Sequence, residues 1–288
     1  MDQLTLTLIG LLLVIAIIGI LVRDAGTTSR GRTLALGVIV LLGGFAVMVL
    51  EIVGARYLQP WFGGAFYVWT SQIGMVMLAL ALGYGVGGHL ADRFKKARFL
   101  SLLLAPAGIF ILLIPQMAPG VLDGIVDRHE KAVEPEAIRT ESFITETNLL
   151  SEISTDFLEG NTNNAANNLP APPDDAAAPL EIPAVWRKLD PAIGSAVVFL
   201  FPCFVLAMIS PFMVRLAARQ VEHVGTVSGL VYAASTVGSI AGVFISAYVL
   251  IDVFTTTQIF QLTGGLTLGL GGLCCLIDWQ WPEDLQND

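Results

Sequence analysis

Glu51 is the one acidic side chain well inside a long apolar run, and so the first residue of this sequence that could do chemistry. The run, residues 34–57, reads LALGVIVLLGGFAVMVLEIVGARY, and as a helix it places Glu51 ~9 Å below the end near Tyr57, at ~1.5 Å per residue. A charged carboxylate in hydrocarbon is costly, so Glu51 must be protonated, paired or turned toward a wet cavity. Arg56 lies five residues on, about 140° around the helix, and is a poor partner within it. Two roles fit. One is a proton- or cation-responsive substrate site, the other a structural hydrogen bond to a neighbouring helix.

The second group is Gly88-His89-Leu90-Ala91-Asp92-Arg93-Phe94-Lys95-Lys96. It resembles the G-x-x-x-D-R-x-G-R/K-R/K signature of major facilitator transporters, with Lys95 in place of the second glycine. Such a loop implies a latch: Asp92, beside Arg93, faces a helix amino terminus or an arginine and ties two helices together. The plainer reading is a helix-ending acid followed by a positively charged membrane anchor. His89 has no second His or Cys close by and reads as an interfacial polar residue rather than a metal ligand.

Glycines form the third group. Gly83-Tyr84-Gly85-Val86-Gly87-Gly88 satisfies G-x-G-x-x-G literally. A dinucleotide loop needs a strand before those glycines, and here an apolar helix precedes them. Gly83, Gly87 and Gly88 are better explained as packing surface, because glycine lets helix backbones approach closely in a membrane. The same holds for Gly238-x-x-x-Gly242 and Gly265-x-x-x-Gly269. Cys203, Cys274 and Cys275 lie in apolar runs without metal or redox spacing and read as small buried hydrophobes. No metal or other cofactor is expected.

The elements that carry these groups follow from composition. The 288 residues are 55% hydrophobic and only 14% charged, far from the ~25% charged residues of a soluble domain. Seven apolar spans emerge, about 4–22, 34–57, 68–90, 99–119, 192–214, 226–251 and 257–277. The expected fold is an all-α integral membrane protein of about seven transmembrane helices. Span 4–22 lacks a basic leader region and a small-residue exit, and is expected to be retained.

Charge orients the chain. Arg23, Arg30 and Arg32 lie between spans one and two, Arg93, Lys95, Lys96 and Arg98 between three and four, and Arg215 and Arg219 between five and six. The short opposite connections hold only Arg56. This predicts an exported amino terminus and a cytoplasmic carboxyl terminus. Trp61, Tyr67, Trp69 and Trp186 then fall at the outer interface, and Trp279 and Trp281 at the inner one.

The net charge of -9 belongs mostly to one segment, since 14 of the 24 acids fall between Asp123 and Asp190. No basic excess points to nucleic acid. Residues 120–191 thus form a long acidic outer loop. Its first part has apolar residues at helical spacing, including Val121, Ile125, Phe143 and Leu150, and its second part, NTNNAANNLPAPPDDAAAPLEIP, cannot build a core. Pro202 and Pro211 should kink span five. The organisation is then 1–33 (an additional helix and basic link), 34–119 (a first helix group), 120–191 (the loop), 192–278 (a second helix group) and 279–288 (a short tail).

Two blocks carry a wider resemblance. Gly44 to Arg93, and FPCFVLAMISPFMVRLAARQVEHVGTVSGLVYAASTVGSIAGVFISAYVLI, residues 201–251, look like the membrane helices of fused major-facilitator/spermidine-synthase-like proteins. The resemblance covers roughly residues 40–98 and 200–270 and implies major-facilitator-like packing. The first helix and the acidic loop appear as additions to that pattern, and the soluble aminopropyltransferase domain that follows in many relatives is not in this sequence. No enzyme activity is therefore expected. The leading expectation is a non-catalytic scaffold or accessory subunit of a larger complex in a bacterial inner membrane, contacting the bilayer and other subunits through 120–191. The alternatives are a transporter or half-transporter of small solutes, polyamines among them, responding through Glu51, and a membrane anchor for a separate soluble synthase.

Overall fold

In lipid, a run of apolar residues satisfies its own backbone hydrogen bonds by forming a helix. The computed structural model describes residues 29–94, 96–127, 184–217 and 224–280, and every long segment among them is helical. The helices are α1 (Ser29–Phe62), α2 (Phe66–Arg93) and α3 (Ala97–Asp127), then α4, α5 (Val224–Val253) and α6 (Thr256–Gln280). α4 is assembled from Ala184–Ser195, a wide π turn at Ala196–Leu200, Phe201–Ala207 and Ile209–Ala217. All six are long and apolar enough to cross a bilayer. The expected span 4–22 lies outside the described residues, so the count among them is six rather than seven.

Each helix runs several residues past its apolar stretch. Hydropathy marks the hydrocarbon-buried part, whereas helical hydrogen bonding continues into the headgroup region. The clearest case is α3, which continues through Pro119 to Asp127. Val121 and Ile125, assigned by sequence to the start of the outer loop, are its last turns. In α4 the π turn directly precedes Pro202, and the break at Met208 precedes Pro211. The two prolines thus sit where the helical register changes, since each removes one backbone donor.

The turns have local causes. Gly63 closes α1 at φ +75°, with its N–H donating to the Gln59 carbonyl at 2.8 Å. Between α5 and α6, Thr255 and Gln258 cap each other reciprocally: the Thr255 N–H donates to Gln258 Oε1 at 2.9 Å, and the Gln258 N–H donates to Thr255 Oγ1 at 3.3 Å.

Small residues set the packing. In the α1–α5 pair, a Cβ on Gly238 would overlap the Leu41 carbonyl, and one on Gly242 would lie 2.7 Å from the Phe45 carbonyl and 2.9 Å from Met48 Cβ. In the α2–α4 pair, a Cβ on Gly83 would overlap the Phe204 carbonyl and lie 2.6 Å from Ala207 Cβ. These two sets of contacts are the same contact made twice. Residues 159 apart exchange roles: Gly83 with Gly242, Phe45 with Phe204, and Met48 with Ala207. Burial repeats with the same spacing. Gln72, Ala79, Gly83 and Gly87 of α2 correspond to Val231, Gly238, Gly242 and Ser246, the buried residues of α5.

α3 and α6 cross at the centre of this relation. A Cβ on Gly108 would lie 2.8 Å from Leu268 Cγ and 3.0 Å from the Gly264 carbonyl; one on Gly264 would lie 2.8 Å from Leu112 Cγ and 2.9 Å from the Gly108 carbonyl. The α1–α5 and α2–α4 pairs are parallel, whereas α3–α6 and α1–α4 are antiparallel, the latter meeting at Gly43–Ile209 and Gly54–Phe199. α1–α3 and α4–α6 are therefore an inverted repeat about an approximate two-fold lying across the helix axes. The core between them holds Ile39, Leu50, Leu104, Ile111, Phe199, Phe212 and Phe260. α2 and α5 turn Met77, Leu82, Tyr232, Phe244 and Tyr248 outward, the surface expected to meet lipid.

Gly83→Ala forces a Cβ into a backbone carbonyl and should destabilise the protein by roughly 1–3 kcal/mol. Gly85, two residues on, faces open space, so Gly85→Ala should be neutral or stabilising by up to ~1 kcal/mol. Thermal unfolding of both variants in one detergent checks the contrast.

Candidate functional site: a half-buried acid between two clasped helix ends

Glu51 is half-buried in the middle of α1, and among the described residues its carboxylate has no hydrogen-bond or ion-pair partner. The hydrogen bond that ties this level to a neighbouring helix is made by its backbone. Gln72 Nε2 of α2 donates to the Glu51 carbonyl at 2.8 Å. Gln72 is 1% exposed and fits only because residue 54 is glycine. A Cβ there would overlap Gln72 Nε2 and lie 2.5 Å from Phe199 Cζ of α4. With its nitrogen committed, Gln72 Oε1 is buried and has no hydrogen-bond partner. In the repeat, Ser210 occupies the position corresponding to Glu51, so the acid belongs to one half only. The arrangement places one carboxylate and one unsatisfied amide oxygen, both acceptors, near the level where α1, α2 and α4 meet.

At one end of the bundle, Asp92 Oδ1 of α2 lies 3.4 Å from Arg215 Nε of α4. The Asp92 side chain is 77% exposed, so screening limits the pair to about 1 kcal/mol or less. Arg93 does not join it: its guanidinium carbon lies 5.6 Å from the centre of the Phe94 ring. His89 is exposed beside them. Lys95 lies outside the described residues. At the same end, Asp278 of α6 accepts from the N–H groups of Ala97 at 3.1 Å and Arg98 at 2.7 Å. A side chain from the last helix thus caps the first turn of α3, whose N–H groups have no partner within the helix.

The other end has its own ties. Trp61 Nε1 of α1 donates to Asp123 Oδ1 of α3 at 2.6 Å, and the Tyr57 hydroxyl donates to the Ile114 carbonyl at 3.4 Å. Arg56 Nη1 donates to the Ile251 carbonyl of α5 at 3.4 Å. This bond is the repeat counterpart of Asp92–Arg215, since Arg56 and Arg215, and Asp92 and Ile251, are again 159 residues apart. One clasp is ionic. The other uses a backbone carbonyl, because the second half has isoleucine where the first has aspartate.

The glycines divide by face. Gly83, Gly87, Gly238 and Gly242 meet a neighbouring backbone or Cβ, with a Cβ on Gly87 placed 2.8 Å from Met208 Cα. Gly88 is looser, its Cβ position 4.0 Å from Pro211 Cβ. Gly83, Gly85 and Gly88 all lie within helix α2, so the G-x-G-x-x-G residues form no strand-to-helix turn. In α6, Gly265 and Gly269 are half-buried, and the close approach is made by Gly264. Cys203 and Cys274 are buried, but Cys275 is exposed and lies 3.2 Å from Ser101 Oγ; its place in an apolar run gave no sign of which face it takes. Trp61 and Tyr67 are half-buried, Trp69 and Trp279 exposed. The side chain of Trp186, and all of Trp281, lie outside the described residues.

Sequence reasoning did not find Gln72, Arg215 as the partner of Asp92, or the Asp278 cap. Each joins residues far apart in the chain, and no local pattern marks such a pairing. Compared with family models, curated proteins and solved structures, the chain matches none of them.

Asp278→Ala removes the only side-chain cap described for α3 and should cost about 0.5–2 kcal/mol. Asp92→Asn, acting on an exposed ion pair, should cost less than about 1 kcal/mol. Chemical unfolding of both variants should rank them in that order.

Proposed function

We propose that this chain is a non-catalytic, transporter-type membrane unit: an inverted-repeat bundle that forms a small-solute pathway together with other subunits or a second copy. The observation that carries the reading is the repeat of α1–α3 by α4–α6. Many transporter folds are built from such inverted repeats, with the coupling site at their interface near the bilayer midplane. Glu51 lies on α1 between Gly43 and Gly54, the two positions where that helix meets α4, and its carboxylate is unpaired among the described residues. A proton or a small cation, including the ammonium groups of a polyamine, is the chemistry that satisfies it. The resemblance to fused major-facilitator/spermidine-synthase-like membrane helices supports the same reading.

The end carrying Arg93, Lys96, Arg98 and Arg215 is assigned to the cytoplasm, and the end carrying Asp123, Asp127 and Asp252 to the outside of a bacterial inner membrane. The acidic connection between α3 and α4, on this assignment, falls on the outer side and supplies the surface on which partner subunits dock.

A second reading, a static scaffold within a larger complex, is favoured by the ties at both ends of the bundle. Uptake into vesicles separates the two. Under the transporter reading, Glu51→Gln should lower uptake of a small cationic solute roughly tenfold or more, the loss expected for one charge-assisted contact. Unchanged uptake would remove Glu51 from the mechanism. Absence of flux for every solute tried, with other subunits co-purifying in mild detergent, would favour the scaffold.

A further inference from the structure

We propose that the connector between α2 and α3 is a preformed binding site for the phosphate headgroup of an anionic phospholipid. Three cations lie within six residues of chain, Arg93, Lys96 and Arg98, and all three are exposed. None of them forms an ion pair among the described residues. The two acids described nearby are already committed: Asp92 to Arg215, and Asp278 to the N–H groups of Ala97 and Arg98. The positive charge of the connector is therefore left for something outside the protein.

The connector is held in shape before any ligand arrives. The Phe94 N–H donates to the Leu90 carbonyl at 2.8 Å, the Lys96 N–H to the Phe94 carbonyl at 2.8 Å, and the Phe99 N–H to the Lys96 carbonyl at 3.1 Å. Phe94 and Phe99 stack with centres 4.0 Å apart and planes 11° apart, and Phe99 leans on Phe212 of α4 at 6.2 Å. Phe94 keeps 37% of its surface exposed, and Arg93 lies over its ring.

This pairing of exposed rings with cations belongs at the boundary between acyl chains and headgroups. Aromatic side chains favour that level, and juxtamembrane cations there attract anionic lipid. A soluble phosphate would find the charge but no use for the rings. A lipid uses both, its phosphate meeting the cations and its glycerol and upper acyl carbons meeting Phe94. At the opposite end of the bundle Arg56 is committed to the Ile251 carbonyl, Asp123, Asp127 and Asp252 add negative charge, and the side chains of Arg187 and Lys188 lie outside the described residues.

The test uses the full chain in detergent, titrated with phosphatidylglycerol or phosphatidylcholine of matched chain length, with retained lipid counted by native mass spectrometry. Each cation near a lipid surface is worth roughly a fivefold change in binding. Phosphatidylglycerol should therefore be retained on the order of a hundredfold more tightly than phosphatidylcholine. The triple variant Arg93→Gln/Lys96→Gln/Arg98→Gln should bring the two near parity, while Arg93→Lys/Arg98→Lys keeps most of the preference. Should the triple variant fail to fold, Lys96→Gln alone should lower the preference roughly fivefold. Inorganic phosphate should not displace the lipid. No preference in the unaltered protein, a preference that survives the substitutions, or displacement by phosphate alone would each overturn the proposal.

Discussion

Helices in a bilayer gain little by hiding apolar surface from one another, because lipid tails are as apolar as leucine. What holds this bundle together must be close approach, and close approach depends on residues without bulk. Gly83, Gly238, Gly242, Gly108 and Gly264 each stand where an added Cβ would meet a neighbouring carbonyl at 3.0 Å or closer. The rest of the structure depends on those contacts. They set which helices are neighbours and whether paired helices run parallel. Gly54 likewise makes room for Gln72 to reach the Glu51 backbone carbonyl.

The inverted repeat follows from the same contacts, and the functional interest lies in where the halves differ. Phe45 and Phe204, Arg56 and Arg215, and Gly83 and Gly242 are retained across the repeat, so its framework is shared. Glu51 faces no acid in the second half, where serine stands, and Asp92 is answered by Ile251. Glu51 and Asp92 are thus two acids that the repeat does not duplicate, whereas Asp190, Ser195, Ser210, Ser246, Thr263 and Thr267, most of the buried polar side chains among the described residues, lie in the second half.

The sequence made the helices legible because length and apolarity alone require them. It also marked glycine pairs in α2 and α5 as contact surface, since four-residue spacing places them on one helix face. It could not rank the glycines of α6. Gly264 and Gly265 differ by about 100° of helix rotation, and only the position of α3 decides which is used. Asp92 was recognisable as one side of a latch, but Arg215 lies 123 residues away and nothing local names it. Asp278 is a starker case: it follows an apolar run as any boundary acid would, and its role exists only once α6 brings it to the start of α3. The repeat itself is faint in the sequence, because what recurs is side-chain size rather than identity, as Gly87 and Ser246 or Ala79 and Gly238 show.

The central claim is that α2 and α4 run parallel and touch along the Gly83–Gly87 face, which makes the second half an inversion of the first. Disulfide formation between Gly88→Cys and Pro211→Cys, in a protein whose three native cysteines are replaced by alanine, tests it most directly. The Cβ position at Gly88 is 4.0 Å from Pro211 Cβ, within the ~3.5–4.5 Å that a disulfide spans. The expected result is rapid and near-complete cross-linking of this pair, with none between Gly88→Cys and Ile193→Cys at the far end of α4. Cross-linking to position 193 in place of 211 would mean that the helices run antiparallel, and the inverted repeat would fall with it.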